Sequence, residues 1–398
     1  MRSRAAALPD RILTARRAAE IQPFEVMEIL ARAHELEALG RRVVHMEIGE
    51  PDFTAPAPVV EAGVRALREG LTAYTSTLGL PALREAIAQH YRQRFGAEVP
   101  VSRIAVTAGA SGALLLALAL FVDSDDELLV PDPGYPGYRH FVRAFEGVAR
   151  PIATRAEASF QPTLDLVEQA WGARTIGVLL GSPANPSGTL IPENELRRIA
   201  EFVAERGGVL IVDEIYQGLV YGRKPSTAYD LPGNVVLVNS FSKYFCMTGW
   251  RLGWAVLPQE HVRAFEKLAQ HLFICPPSAA QHAALAAFSP QSTEILEGRR
   301  REFERRRDFL VPALERAGLR IPARPNGAFY IYADCSAVEA DARRFALGLL
   351  DAEAVAATPG LDFGANETRH FMRFAYTRSM EDLEEGARRI ARYCGARA

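Results

Sequence analysis

Val235-Val236-Leu237-Val238-Asn239-Ser240-Phe241-Ser242-Lys243 reads as a strand that is apolar on both faces and stops in two hydroxyls and an amine. A strand of this kind belongs in a sheet covered on both sides, because an uncovered face would alternate with polar residues. Similar runs lie on either side: IAVT at 104–107, ELLV at 127–130, IGVLLG at 176–181, VLIVDE at 209–214 and LGWAVL at 252–257. Amphipathic stretches at 57–69, 80–95, 112–121 and 193–206 fall between them. Short continuous apolar strands alternating with helices predict an α/β fold with a mostly parallel sheet between helices. In such sheets ligands bind at the carboxyl ends of the strands, where Ser240, Ser242 and Lys243 fall.

The flanks differ. From Phe24, the residues Val26, Ile29, Leu30, Ala33, Leu36 and Leu39 recur at helical spacing, and Gly40 marks a stop. Val43–Ile48 reads as a short strand that breaks at Gly49-Glu50-Pro51-Asp52-Phe53. The Arg- and Glu-rich stretch 291–317 predicts a long, mostly solvated helix leaving the first unit, and it is assigned no ligand. FYIY at 329–332 and FMRFAY at 371–376 predict strands of a smaller α+β unit. The expected organisation is a loose N-terminal arm over 1–20, a large unit over 49–290, and a small unit built from 21–48 and 291–398.

Of the 398 residues, 46 are Lys or Arg and 48 are Asp or Glu, so composition offers nucleic acid or an anionic membrane no electrostatic hold. Cys246, Cys275, Cys335 and Cys394 are too far apart for a zinc site, and the eight histidines show no ligand spacing, so no metal is expected. The most apolar run, Ala113–Val122, is about half of what a membrane span needs. The N-terminus has no apolar run long enough for a signal peptide, and a cytoplasmic protein is expected.

Lys243 lies among Phe241, Tyr244 and Phe245. Apolar surroundings disfavour an ammonium and leave the amine free to attack an aldehyde. Ser240, Ser242 and Arg251 beside it could together bind a phosphate. An ordinary surface lysine is the plainer reading, but it leaves the two serines and Gly249-x-Arg251-x-Gly253 without a purpose.

This segment resembles the lysine motif of the class I/II, fold-type I pyridoxal-phosphate aminotransferases, and the resemblance runs over about residues 24–394. Cys246 stands where that family usually has Gly, Ala or Ser. The resemblance implies a seven-stranded, mostly parallel sheet, and a Schiff base between Lys243 and pyridoxal 5′-phosphate. It also implies ping-pong transfer of an amino group from an L-amino acid to a 2-oxo acid. Asp213, ending VLIVD, would pair with the pyridine nitrogen, and Tyr216 with the ring oxygen; alone, they could be a helix cap and a core tyrosine. Asn185, in Ser182-Pro-Ala-Asn-Pro-Ser-Gly-Thr189, matches the asparagine beside that oxygen, although an Asn-Pro turn is common. Gly109, Ala110 and Ser111 would offer amides to the phosphate at a helix start; a tight strand–helix turn would look the same. Tyr135, with Tyr138 as a neighbour, would stack on the ring unless it is merely a packing plug. Tyr74 would reach the site of the other subunit in a homodimer. Arg373, inside the FMRFAY strand, would bind the substrate carboxylate as a bidentate fork, with Gly49 beside it. Arg378 falls outside that strand and is expected in solvent.

A cysteine-S-conjugate β-lyase or related C–S lyase on the same scaffold would need the same lysine, aspartate and arginine. A non-catalytic effector-sensing domain is a reading of another class; about twenty residues precede the first helix, too few for a DNA-binding domain.

Overall fold

The computed structural model describes residues 14–23 and 25–396. Among the described residues, twelve strands form three sheets: β1 (Val44–His45), β2 (Ile104–Thr107), β3 (Glu127–Asp132), β4 (Val148–Ala153), β5 (Thr175–Gly181), β6 (Val209–Asp213), β7 (Asn234–Ser240), β8 (Gly253–Val256), β9 (Tyr330–Asp334), β10 (Val355–Ala356), β11 (Thr358–Pro359) and β12 (Phe371–Ala375). The seven-stranded sheet has the order β2-β8-β7-β6-β5-β3-β4. Within it β8 pairs antiparallel with both neighbours, and the other pairs are parallel. The carboxyl ends of β2, β3, β5, β6 and β7 therefore share one edge.

In the middle of that sheet β6 is buried throughout and β7 from Val235 onward, in keeping with their apolar runs. Strand β4 was not anticipated. It pairs only with β3 and leaves Val148 exposed. Pro151 lies opposite Val130, a position tolerable in an edge strand because no further neighbour needs its missing N–H.

The small sheets are β1 with β10, and β11-β12-β9 with Phe371–Ala375 in the centre. The helix Glu25–Ala38 buries Ile29, Ala33 and Leu36 as the periodicity predicts, but Leu39 lies beyond its end and is exposed. Phe24 and the first thirteen residues of the expected arm lie outside the described residues. The rest of that arm is not loose. Arg16–Glu20 is a short helix, with Arg17 paired to Glu146 at 2.8 Å and Glu20 to Arg143 at 2.5 Å.

The long helix Pro290–Arg316 starts at a Ser289 cap, and its solvated reading needs correction. Arg306 is only 4% exposed. It pairs with Asp52 at 2.7 Å and Glu302 at 3.0 Å, and its guanidinium lies against the rings of Phe53 and Phe303. Arg307 is buried too, bonded to the Pro325 carbonyl at 3.3 Å and to Asp308. Charge periodicity could not reveal this, because the partners Asp52 and Phe53 come from a distant loop. Among the described residues, no helix is long and apolar enough to cross a membrane, and no cluster of His, Cys, Asp and Glu could hold a metal.

Candidate active site

A cavity of about 330 Å³ opens at the carboxyl edge of the seven-stranded sheet and reaches across to β9 and β12. Asp213 ends β6 inside it. The Tyr138 hydroxyl donates to one carboxylate oxygen at 2.8 Å, and the Ile215 amide to the other at 3.1 Å. Burial pushes the Asp213 carboxyl up to about 6, while these two donors and Lys243 pull it down. Tyr135 meets Tyr138 edge-on, with centroids 5.3 Å apart, and burial raises its phenol to about 12.

Lys243 follows β7 by three residues, and its Nζ donates to the Gly49 carbonyl at 2.7 Å. Burial pulls its ammonium down to about 8; Glu50 and Asp213 oppose this, and Arg373 and Arg251 add to it. An amine so placed has a substantial neutral fraction near physiological pH. The Phe329 ring lies 5.9 Å from Nζ.

A group of hydrogen-bond donors lines the wall beside it. The Ser240 and Ser242 hydroxyls are 2.9 Å apart, and the Ser242 amide donates to Ser240 Oγ at 3.0 Å. Gly109 starts the thirteen-residue helix Gly109–Phe121 with a left-handed φ of +75°. A Cβ there would fall 2.9 Å from Arg251 Nη2, so this glycine lets the guanidinium approach the helix start. Gly253 does the same from the other side, where a Cβ would come within 2.7 Å of the Ala110 amide. Ala110 and Ser111 reach the cavity wall itself.

The opposite end is built around Arg373. Its Nη1 donates to Asn185 Oδ1 at 2.9 Å, and its Nη2 to the Glu47 carbonyl at 2.5 Å and to Thr358 Oγ1 at 3.2 Å. All three acceptors are neutral, and Nε is buried without a partner. The guanidinium stacks 4.5 Å from the Tyr330 ring and 4.9 Å from Phe363. A buried cation satisfied only by neutral oxygens is prepared for an anion from outside.

Lys243, Asp213, Tyr216, Tyr135, Asn185, Ser240, Ser242, Arg251, Ala110, Ser111, Gly49 and Arg373 all line this one cavity, and Gly109 backs it. Tyr74 does not: it is 79% exposed, on a loop tied by Ser278 Oγ to the Ala73 carbonyl at 2.6 Å. Contrary to the solvent position expected from sequence, Arg378 is half-buried and donates to the His45 carbonyl at 2.9 Å.

Several lining residues went unnoticed in the sequence: Tyr330, Asp362, Phe363, Val26 and Leu114. The FYIY run signals a strand, but nothing in it indicates that Tyr330 meets Tyr216. Asp362 accepts the Glu25 amide at 3.1 Å, so it holds the start of a helix more than 300 positions away. A larger groove of about 1100 Å³ runs between the helices Pro81–Phe95 and Pro290–Arg316. Its central charges pair with one another, Glu297 with Arg94 at 2.9 Å and with Arg300 at 2.8 Å. None of the residues named above for the smaller cavity faces it.

The sequence profile described as aminotransferase class I and II matches residues 41–390. The (5-formylfuran-3-yl)methyl phosphate transaminase of Methanocaldococcus jannaschii is 38% identical over 384 residues, 96% of this chain and 99% of its own. The valine–pyruvate aminotransferase of Mycobacterium tuberculosis is also 38% identical, over 94% of this chain and 96% of its own. The crystal structure of an aminotransferase from Mycobacterium tuberculosis superposes with a TM-score of 0.93 at 38% identity, covering 96% of this chain and 99% of that one.

Proposed function

Because the chain belongs to the class I and II aminotransferases, and so depends on pyridoxal phosphate to move an amino group from an amino acid to a 2-oxo acid, we propose that Lys243 is the residue that holds the cofactor and carries the proton. When bound, that cofactor supplies an aldehyde that condenses with amines and a pyridinium that draws electron density from the donor's Cα. The donor set fits it. Arg251 spends only one described hydrogen bond, to the Thr248 carbonyl at 3.1 Å. With the Ser240 and Ser242 hydroxyls and the amides of Gly109, Ala110 and Ser111, it makes an anion cradle at a helix N-terminus.

In this reading Asp213 would pair with the ring nitrogen and keep it protonated, Tyr216 and Asn185 would donate to the ring oxygen, and Tyr135 would stack on the ring. Arg373, with Asn185 and Gly49, takes the donor carboxylate. Lys243 Nζ would take the Cα proton and hold it for return two bonds further along, at the carbon that had carried the aldehyde, a task suited to an amine whose ammonium is pulled to about 8. The observation that carries the assignment is the pairing, in one cavity, of this amine with an arginine whose hydrogen-bond acceptors are all neutral.

The finer expectations belong to the same proposal. The chain works as a cytoplasmic homodimer, with Tyr74 reaching the neighbouring site. Exposed Val60, Val64, Leu67 and Leu71, with Leu272 and Ile274, offer apolar surface for that contact. Residues 49–290 form the large unit, and 21–48 with 291–398 the small one. The donor has an uncharged side chain: Val26, Leu114 and Phe363 are apolar, Asp362 would repel a second carboxylate, and the mycobacterial relative is named for valine and pyruvate.

The test is the visible spectrum of the purified protein before and after adding single amino acids. A yellow band that bleaches with uncharged donors, and slowly with aspartate or glutamate, supports the whole reading. Persistence of the band with release of ammonia would point to C–S lyase chemistry. No band after adding pyridoxal phosphate would remove Lys243 from the role.

A further inference from the structure

Tyr330 opens β9 and is almost wholly buried. Its hydroxyl lies 2.8 Å from that of Tyr216, and the Arg373 guanidinium covers its ring at 4.5 Å. Its third neighbour is backbone: a Cβ on Gly49 would fall 2.0 Å from the Tyr330 hydroxyl, and the Gly49 carbonyl receives Lys243 Nζ. One phenol therefore touches the carboxylate end, the Tyr216 hydroxyl and the loop that holds the lysine.

A link between two hydroxyls carries one proton, and which one donates decides what Tyr216 has left. The cation over the Tyr330 ring polarises its O–H outward, and Arg373 is the leading influence opposing the effect of burial on that phenol. At Tyr216, burial and Tyr330 itself both outweigh it. Tyr330 is thus the better donor. We propose that Tyr330 is a positioning residue: its hydroxyl donates to Tyr216 and leaves the Tyr216 proton for the cofactor's ring oxygen, while its ring seats Arg373. Donation in a chain strengthens each bond in it, so the Tyr216 contact is stronger for having Tyr330 behind it. This role rests on the reading of Lys243 and Tyr216 given above.

The experiment is a pH titration of the visible band of the cofactor-loaded protein. Tyr330→Phe keeps the ring beneath Arg373 and removes only the hydroxyl. The ring oxygen then receives a weaker hydrogen bond, so a proton on the nitrogen joined to Lys243 is held more tightly. The expected result is an upward pKa shift of about half to one unit, the size of one neutral hydrogen bond. The other charged groups facing Lys243 (Glu50, Arg373, Arg251 and Asp213) are untouched by the substitution. The donor KM should change less than about threefold, because the carboxylate site keeps its floor. Gly49→Ala, which pushes a methyl into the hydroxyl's place, should shift the pKa the same way. In a Tyr216→Phe background the Tyr330 substitution should add nothing, since no hydroxyl remains to relay it.

An unchanged pKa in Tyr330→Phe overturns the proposal, and so does an equal shift in the Tyr216→Phe background. A wild-type protein with no pH-dependent band, matching Lys243→Ala, overturns the site reading and this role with it. A normal wild-type band that ignores Tyr330→Phe removes this role alone.

Discussion

The two ends of the cavity are built in different ways. The end near the sheet comes from contiguous runs that leave strands: Asp213 closes β6, Ser240 closes β7 with Ser242 and Lys243 just beyond, and Gly109 to Ser111 start the helix after β2. The other end is assembled from scattered single residues: the Glu47 carbonyl, Asn185, Tyr330, Thr358, Phe363 and Arg373. The first end can be stabilised by local chain geometry. The second exists only when β9, β11 and β12 have paired and the loop at 185 has docked. The proposed roles put the chemistry at the first end and recognition at the second, and substitutions should separate the two.

The largest effect belongs to the lysine. Lys243→Ala should lower turnover by roughly 10³-fold or more, the upper range for a positioned proton-transfer group, as single-turnover kinetics would show. A variant retaining near-normal turnover would erase the division between the ends. Arg373→Gln should instead raise the donor KM about 30- to 100-fold, the cost of losing a buried charged partner, and leave the visible band in place. If the band vanished with it, the two ends would be one structural unit. Tyr138→Phe removes a donor that holds the Asp213 carboxyl down. The acid limb of the pH–rate profile should then move upward by about half to one unit.

The smallest effect concerns stability. In the cofactor-free protein Lys243 has a folded value near 8 against an ordinary 10.5, so between these the unfolded chain holds more protons. Stability from this group therefore rises as pH rises through that window, and the penalty is full below it. Asp213, raised from 3.8 to about 6, acts in the opposite sense: its penalty is full above 6 and is relieved as pH falls to 3.8. Lys243→Met should thus raise the Tm at pH 7 by about 1–3 °C, with the gain fading by pH 10.5 in thermal melts. A gain independent of pH would trace to packing and not to charge.

The same contrast sets what could be read beforehand. The strand-end groups are legible because a carboxylate, a lysine or a glycine closing an apolar run is a local anomaly. Arg373 stood out too, as a cation inside a strand pattern. Tyr330 did not, because a tyrosine in FYIY looks like any β-former until its hydroxyl meets Tyr216, 114 residues away. Arg306 misled for a related reason: its Arg- and Glu-rich neighbours predict solvent, and the distant Asp52 and Phe53 cover it. Strand β4 was hidden because an edge strand keeps polar residues and tolerates Pro151.

The pairing of β2 with β8 has a consequence for how the chain is made. Ile104–Thr107 finds its partner only at Gly253–Val256, about 150 residues later, and Val44–His45 waits for Val355–Ala356. A ribosome adds residues one at a time from the N-terminus, so for much of synthesis Ala105, Val106 and the apolar helix beyond them have no strand beside them. Contacts of such wide separation close slowly. The nascent chain therefore spends that interval with an unpaired apolar stretch between residues 104 and 121, and with the anion cradle proposed at Gly109 to Ser111 still unfinished.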